Sequence, residues 1–202
     1  ADPVYKGDYP DCMKERLGDR LPAFTPEEKA LIQGSSDFFV FFHYTTMYAS
    51  DASQSAGAGS VYGNGGLSED QDVDLSVSPD WAMTNMQWAI VPWGCRKLLE
   101  WIAARYDNPP VYITENGCAF DGKLEDTERI AFFDGYLSAV HEAIGNGVDV
   151  QGYFIWSLLD NFEWASGYSK KFGITHIEEG TLKRVPKASA WWYAEVVRRN
   201  GL

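Results

Sequence analysis

The stretch Val111-Tyr-Ile-Thr-Glu-Asn-Gly117 begins with strand-forming residues and ends in an acid, an amide and a glycine. A helix is predicted before it, from Pro92 through Arg105, with an apolar stripe formed by Leu98, Trp101 and Ile102. A second helix is predicted after it, from Thr127 to Gly147, where apolar residues recur three and four positions apart. The run 111–114 between these helices is therefore predicted to be a short strand.

The same alternation continues outward along the chain. Residues 37–48 are a nearly unbroken aromatic and β-branched run, which predicts a strand buried on both faces, as in a parallel sheet. Gly152–Leu159 is predicted to be another buried strand, and a last helix is predicted at about 187–199. Strands that alternate with helices indicate parallel βαβ units. Three strands cannot close a barrel, so this α/β pattern is typical of one part of a larger fold.

Two other segments differ in composition. Residues 1–36 are predicted to be helices and loops, with Thr25 capping a helix that begins at Pro26. Residues 50–80 are rich in Ser, Gly, Ala, Asn and Asp, which predicts a long polar loop. Loops of this length often shape a binding site. The glycines of this loop do not fit a dinucleotide-binding motif.

The composition excludes several classes of function. The formal net charge of −12 over 202 residues disfavours binding to nucleic acids or to anionic membranes. No apolar run reaches the ~18 residues that a membrane helix needs. The three cysteines, Cys12, Cys95 and Cys118, lack the spacing of a metal site, and their odd number favours, weakly, an intracellular location. Eight tryptophans indicate a well-filled core first and flat surfaces for sugar stacking second.

Glu115 is the first candidate for chemistry, because α/β folds place their active sites at the carboxyl ends of parallel strands. From position alone, a capping or loop acid is the more common role. A second polar cluster follows the last predicted strand and contains Trp156, Asp160, Asn161, Glu163 and Trp164. Carboxylates and indoles together suit a polyol, whereas the spacing does not fit a calcium loop.

These segments resemble the C-terminal portion of family 1 of the glycoside hydrolases, the β-glucosidase family. Four blocks carry the resemblance and extend over nearly the whole chain: 2–10, 111–117, 152–164 and 171–174. The resemblance implies a (β/α)₈ TIM barrel, of which residues 1–202 would supply the last three strands and helices. The loop 50–80 would then lie at the rim of the active site.

The resemblance also implies a site and a mechanism. It assigns Glu115 as the nucleophile of a retaining double displacement that needs no metal or cofactor. It further assigns substrate contacts to residues of five separate positions: Tyr44, Trp156, Glu163, Trp164 and Phe172. The expected ligand is a β-D-glucoside or a related β-glycoside.

Two departures from the family pattern limit this interpretation. The family's acid/base lies in an Asn-Glu-Pro motif, which this sequence lacks. We therefore expect an N-terminal half of the barrel, in the same protein or in a second chain, to supply it. In addition, Val40 and Phe42 stand where the family pattern has glycine and asparagine, and strand alternation places Phe42 on the same face as Tyr44.

Two hypotheses from different classes stay open at this point. The first is a glycoside hydrolase, or the portion of one that carries the nucleophile. The second is a non-catalytic scaffold, such as an isolated or engineered partial barrel, that keeps a sugar-binding face without turnover. Phe42 and the missing acid/base favour the second hypothesis. Four residues favour the first: Glu115, Trp156, Glu163 and Trp164.

Overall fold

The computed structural model describes residues 1–52 and 70–202. Two compact units divide the chain: Ala1–Phe39 with Met47–Ser78, and Val40–Thr46 with Pro79–Leu202. The helices in chain order are α1 (Asp2–Lys6), α2 (Asp11–Leu17), α3 (Pro26–Ile32), α4 (Pro92–Tyr106), α5 (Thr127–Gly145) and α6 (Ala188–Arg199). The strands are β1 (Phe39–Phe42), β2 (Tyr48–Asp51), β3 (Val73–Ser76), β4 (Val111–Asn116), β5 (Val150–Ile155), β6 (Thr175–Ile177) and β7 (Arg184–Pro186).

Among its described residues, the first unit contains the short helices α1, α2 and α3 and the paired strands β2 and β3. The predicted N-cap is confirmed: the Thr25 side chain accepts a hydrogen bond from the Glu28 amide, and the Glu28 carboxylate accepts one from the Thr25 amide. Two Arg–Asp ion pairs, Arg16–Asp72 and Arg20–Asp70, also lie in this unit. They are exposed pairs, which contribute little to stability.

The prediction of a loop over residues 50–80 is partly wrong. Its two ends form structure, because β2 and β3 pair as antiparallel strands with Tyr48 opposite Ser76 and Asp51 opposite Val73. Backbone pairing of these ends overrides their polar composition. Residues 53–69 of the predicted loop lie outside the described residues, and so does any role of theirs at a site rim.

The second unit contains a three-stranded sheet in the order β1-β4-β5. The predicted parallel βαβ arrangement is confirmed for β4 and β5, which pair in parallel with Val111 opposite Val150 and Asn116 opposite Ile155. The register is irregular between Ile113 and Asn116. Such irregularities redirect side chains. This one falls on the two residues Thr114 and Glu115.

Helices α4 and α5 supply the core beside this sheet. The buried stripe of α4 is Cys95, Leu99, Ile102 and Tyr106. The predicted stripe is therefore wrong at Trp101, which is 52% exposed. On α5 the buried side chains include Phe132, Phe133, Tyr136 and Val140, and the helix ends at Gly145 rather than Gly147. No helix among residues 1–52 and 70–202 has the length and apolarity to cross a membrane.

The first strand is shorter and more exposed than predicted. Of the run 37–48, only Phe39–Phe42 forms a strand of this sheet, and Tyr48 begins β2 instead. His43 packs against Tyr136 of α5, with ring centroids 5.7 Å apart. The residues that alternate with it, Val40 and Phe42, are exposed, as is Phe154 of β5. The prediction of a strand buried on both faces is therefore wrong, since these three side chains are 43–61% exposed. We call Val40, Phe42 and Phe154 the open face.

The segment after β5 is also irregular where a strand was predicted. Strand β5 ends at Ile155 rather than Leu159, and the Trp156–Ser157 peptide bond is cis. The Trp156 amide still donates to the Asn116 carbonyl over 2.8 Å. The chain then passes through the β6–β7 hairpin, in which Thr175 lies opposite Pro186, and ends in α6.

Candidate active site

Glu115 lies one residue before the end of β4, and its side chain is held by a phenol. The Tyr44 hydroxyl donates a hydrogen bond to Glu115 Oε2 over 2.6 Å. The Glu115 carbonyl accepts one from the His43 amide over 2.9 Å, so backbone and side chain are both tied to the segment after β1. Burial and the Glu115 carboxylate raise the pKa of Tyr44 well above its usual range. The Tyr44 phenol therefore keeps its proton and donates it in the hydrogen bond to Glu115.

Glu163 lies in the same neighbourhood as Glu115. Its carboxyl is buried, and burial is the largest cause of a raised pKa. A hydrogen bond from the Trp156 side chain lowers that pKa, and the charge of Glu115 raises it. The structure thus brings together three of the predicted site residues, Glu115, Trp156 and Glu163. A carboxylate paired with an indole N–H is a suitable acceptor for the hydroxyls of a polyol.

Phe172 lies behind Tyr44. It is 1% exposed, and its ring meets the Tyr44 ring edge to face with centroids 6.2 Å apart. Trp88, which sequence analysis missed, contacts both rings, at 5.4 Å from Tyr44 and 6.0 Å from Phe172. Trp88 lies in an irregular segment, so no periodicity marked it. The three rings form the wall beside Glu115.

Trp164 is separate from these buried groups. Its side chain is 83% exposed and follows Glu163 in a turn of 3₁₀ helix, Trp164–Ser166. Nearby in the sequence, Phe162 and Tyr168 form another exposed aromatic pair with centroids 5.5 Å apart. The structure therefore places Trp164 on the surface, and does not bring it into the cluster of Glu115, Trp156 and Glu163.

Asn116 joins the three strands beneath the site. Its side-chain amide donates to the His43 carbonyl over 2.6 Å, and its side-chain oxygen accepts a hydrogen bond from the Tyr153 hydroxyl. Asn116 is fully buried, and these bonds satisfy its side chain. The sequence alone assigns this amide no role. Its contacts indicate that it fixes the strand end that carries Glu115.

Two glycines allow the backbone segments of the site to approach closely. A Cβ atom on Gly117 would lie 1.7 Å from the Trp156 carbonyl oxygen, and one on Gly173 would lie 2.1 Å from the Asp160 amide nitrogen. Each distance is far below any van der Waals contact. The segment after Glu115 therefore packs directly on the segment that carries Trp156, which only glycine permits.

A buried ion pair holds the segment that leads to Glu163. The Lys187 ammonium donates to Asp160 Oδ1 over 2.9 Å and to the Gly173 carbonyl over 2.6 Å. Asp160 Oδ1 also accepts a hydrogen bond from the Gly173 amide. Burial lowers the pKa of Lys187, and the Asp160 carboxylate opposes that shift. Within the described ranges, no group of three or more His, Cys, Asp or Glu side chains is arranged to hold a metal ion.

A half-buried carboxylate at the end of a parallel strand, near a second carboxylate that accepts a hydrogen bond from an indole, is an arrangement that suits a polyol ligand. The chain belongs to glycosyl hydrolase family 1, whose model matches residues 1–202. Its relatives include Beta-glucosidase 42 of Arabidopsis thaliana, which is 40% identical over 98% of this chain. The human lactase/phlorizin hydrolase is 38% identical over the whole chain.

Solved structures agree with this family. The family 1 β-glucosidase of Thermotoga maritima superposes on the whole chain with a TM-score of 0.84 at 37% identity. Aphid myrosinase superposes on 98% of it with a TM-score of 0.85 at 35% identity. The chain spans 42% of the Arabidopsis protein and 43% of the Thermotoga structure. These neighbours are TIM barrels, whereas the described residues here form an open three-stranded sheet.

Proposed function

We propose that this chain carries the nucleophile of a retaining β-glycosidase that hydrolyses β-D-glucosides or related β-glycosides. The observation that supports this most is the Tyr44–Glu115 hydrogen bond at the end of a parallel strand. Oxygen Oε2 accepts that bond, which leaves Oε1 as the oxygen for attack. Glu163, which accepts a hydrogen bond from the Trp156 indole, is the proposed acceptor for sugar hydroxyls.

The reaction proceeds in two displacements. Glu115 attacks the anomeric carbon, the bond to the leaving oxygen breaks, and that oxygen takes a proton from a carboxylic acid. Water then attacks the same carbon from the opposite side. The carboxylate removes a proton from the water, and Glu115 leaves. The two carboxyl groups of such a site lie about 5–5.5 Å apart.

We further propose that the acid/base comes from barrel strands outside this chain, in the same protein or in a second chain. The family relatives are more than twice as long as the matched part. The open face of Val40, Phe42 and Phe154, which is 43–61% exposed, supports this proposal. Exposed apolar side chains on a sheet are typical of a surface that another element covers. That β1, β4 and β5 are the last three strands of the barrel stays a prediction.

Trp164 and Phe172 take different proposed roles. Trp164 is exposed and offers an indole N–H with an apolar face, which suits direct contact with a sugar. Phe172 is buried, so its proposed contribution is to shape the wall of the glycone pocket with Tyr44 and Trp88.

The second candidate function is a non-catalytic sugar-binding scaffold. Phe42 is the observation that favours it, because a large apolar ring stands at the end of β1, two residues before Tyr44. A scaffold of this kind binds a glucoside without breaking it. The two functions therefore differ in turnover and not in binding.

Azide rescue separates the two functions. We define the completed barrel as this chain fused to the part of the Thermotoga maritima β-glucosidase that the chain does not cover. The completed barrel is predicted to hydrolyse p-nitrophenyl β-D-glucoside, and its Glu115→Ala variant to be inactive. Azide is predicted to restore the variant by attacking the anomeric carbon where Glu115 stood, which yields the α-glucosyl azide. Binding of the glucoside without turnover in the unaltered completed barrel would support the scaffold instead.

A further inference from the structure

Arg129 is a buried cation on a helix whose other inward residues are apolar. It is 0% exposed on α5, three residues before Phe132 and four before Phe133. A buried guanidinium is tolerated only when its donors are paired. The pairing of Arg129 is therefore specific, and its partners show what the residue holds together.

The guanidinium joins two backbone segments of the candidate site. Its Nη1 donates to the Cys118 carbonyl, three residues after Glu115, and to the Phe172 carbonyl over 3.0 Å. Its Nη2 donates to the Lys171 carbonyl over 2.9 Å. Backbone hydrogen bonds reach the same carbonyls, because the Phe120 amide donates to Lys171 over 3.4 Å and the Ser157 amide donates to Phe172 over 3.2 Å. A planar guanidinium is suited to this role because its donors point in fixed directions.

A carboxylate on the far side fixes the guanidinium. Arg129 Nε donates to Asp126 Oδ2 over 2.7 Å, and the Ser189 hydroxyl donates to the same oxygen over 2.6 Å. The Ser189 amide donates to Asp126 Oδ1. All three residues are at least 98% buried. Asp126 therefore holds the guanidinium in place, and Ser189 at the start of α6 holds Asp126.

A chain of contacts leads from Arg129 to the Glu115 carboxylate. Phe172, whose carbonyl Arg129 binds, packs edge to face against Tyr44, and the Tyr44 hydroxyl binds Glu115. We propose that Arg129 is a positioning residue, which sets the place of Phe172 and through it the Tyr44–Glu115 hydrogen bond. The importance of this role for catalysis rests on the proposed function. The contacts from Arg129 to Glu115 do not, and their test measures the surroundings of Tyr44 without any turnover.

The test uses the chain labelled with 3-fluorotyrosine, in which Tyr44→Phe identifies the fluorine resonance of Tyr44. Arg129→Lys keeps the charge beside Asp126 and loses the planar fork, and Arg129→Met loses both. We expect the Tyr44 resonance to move by more than its line width in both variants, with the larger shift in Arg129→Met. The conservative substitution Arg129→Lys is not expected to return the Tyr44 resonance to its native position.

Leu99→Ala is the matched control, because Leu99 is equally buried on α4 and belongs to no part of the site. It is expected to lower the urea midpoint and to leave the Tyr44 resonance in place. If both Arg129 variants fail to fold, Ser189→Ala decides, with a smaller shift of the same resonance expected. A Tyr44 resonance that stays at its native position in the folded Arg129 variants, or in Ser189→Ala in their stead, would overturn the proposal. Arg129 would then be only a general stabiliser.

Discussion

The Tyr44 hydroxyl donates to Glu115 Oε2 over 2.6 Å, although the two residues are 71 positions apart in the chain. Tyr44 follows β1 and Glu115 lies in β4, and these strands are neighbours in the sheet. The bond therefore depends on strand order, and it fixes one oxygen of the carboxylate. That constraint on Glu115 is the basis of the predictions about activity.

Removing the phenol is expected to slow the first displacement. Tyr44→Phe keeps the ring contacts and deletes the donor to Glu115. A bond to a charged group of this kind contributes about 1.5–3 kcal/mol, which corresponds to roughly a 10- to 150-fold lower kcat/KM in the completed barrel. Tyr9→Phe, in the other compact unit, is the control and is expected to leave kcat/KM unchanged. An unchanged kcat/KM in Tyr44→Phe would remove the phenol from the mechanism.

A methyl group at position 117 is expected to displace the segment that carries Trp156. Gly117→Ala puts a Cβ at 1.7 Å from the Trp156 carbonyl oxygen, so the backbone must move. We expect a loss of at least about 1–3 kcal/mol in the free energy of unfolding, measured in urea. Gly145→Ala is the matched control, since its Cβ meets no atom within 4 Å. That change is expected to be neutral or to stabilise α5 by up to about 1 kcal/mol.

The buried pair Lys187–Asp160 is expected to show strong coupling. Asp160→Leu leaves a buried ammonium without its carboxylate, which costs about 3–5 kcal/mol in the free energy of unfolding. The double variant Asp160→Leu with Lys187→Met is expected to recover much of that loss. Urea unfolding of the two single variants and the double variant measures the coupling. Simple additivity of the two single losses would contradict this account.

His43 is expected to make stability depend on pH. Burial lowers its pKa to about 4, below the unfolded value of about 6.5. As the pH falls, the unfolded chain therefore binds a proton at His43 before the folded chain does. The contribution of neutral His43 to the free energy of unfolding is complete above about pH 6.5 and is lost as the pH falls toward about 4. The expected loss is about 3 kcal/mol. His43→Phe should lose that much less over this window, whereas the exposed His141→Gln should follow the unaltered chain. Parallel curves for all three proteins would exclude His43 as the cause.

Periodicity predicted the helices well and the exposed surfaces poorly. The bounds of α4 and α6 were predicted to within one residue, because long apolar patterns and a starting proline determine them. The same reasoning placed Trp101, Val40 and Phe42 inside. An apolar side chain is buried only if another element covers it, and a sequence read alone does not show which elements are present. The β2–β3 pair escaped prediction for a related reason, since partners 22–28 residues apart decide it.

Topology predicted that Glu115 and Trp156 lie near each other, because they stand at the carboxyl ends of two neighbouring parallel strands. Trp88 was missed because it joins the site by a tertiary ring contact from an irregular segment. Arg129 did carry a signal, as a charged residue at the helical spacing of a buried stripe. Such a residue predicts an internal partner before its identity is known.

The nucleophile is tested most directly by covalent labelling. The completed barrel is incubated with 2,4-dinitrophenyl 2-deoxy-2-fluoro-β-D-glucoside, whose leaving group needs no protonation, and is then digested for peptide mass analysis. The peptide containing Glu115 is predicted to gain one 2-deoxy-2-fluoroglucosyl group, and the Glu115→Gln variant is predicted to gain none. A sugar attached to any other residue, or an unlabelled Glu115 in a folded completed barrel that binds the reagent, would contradict it.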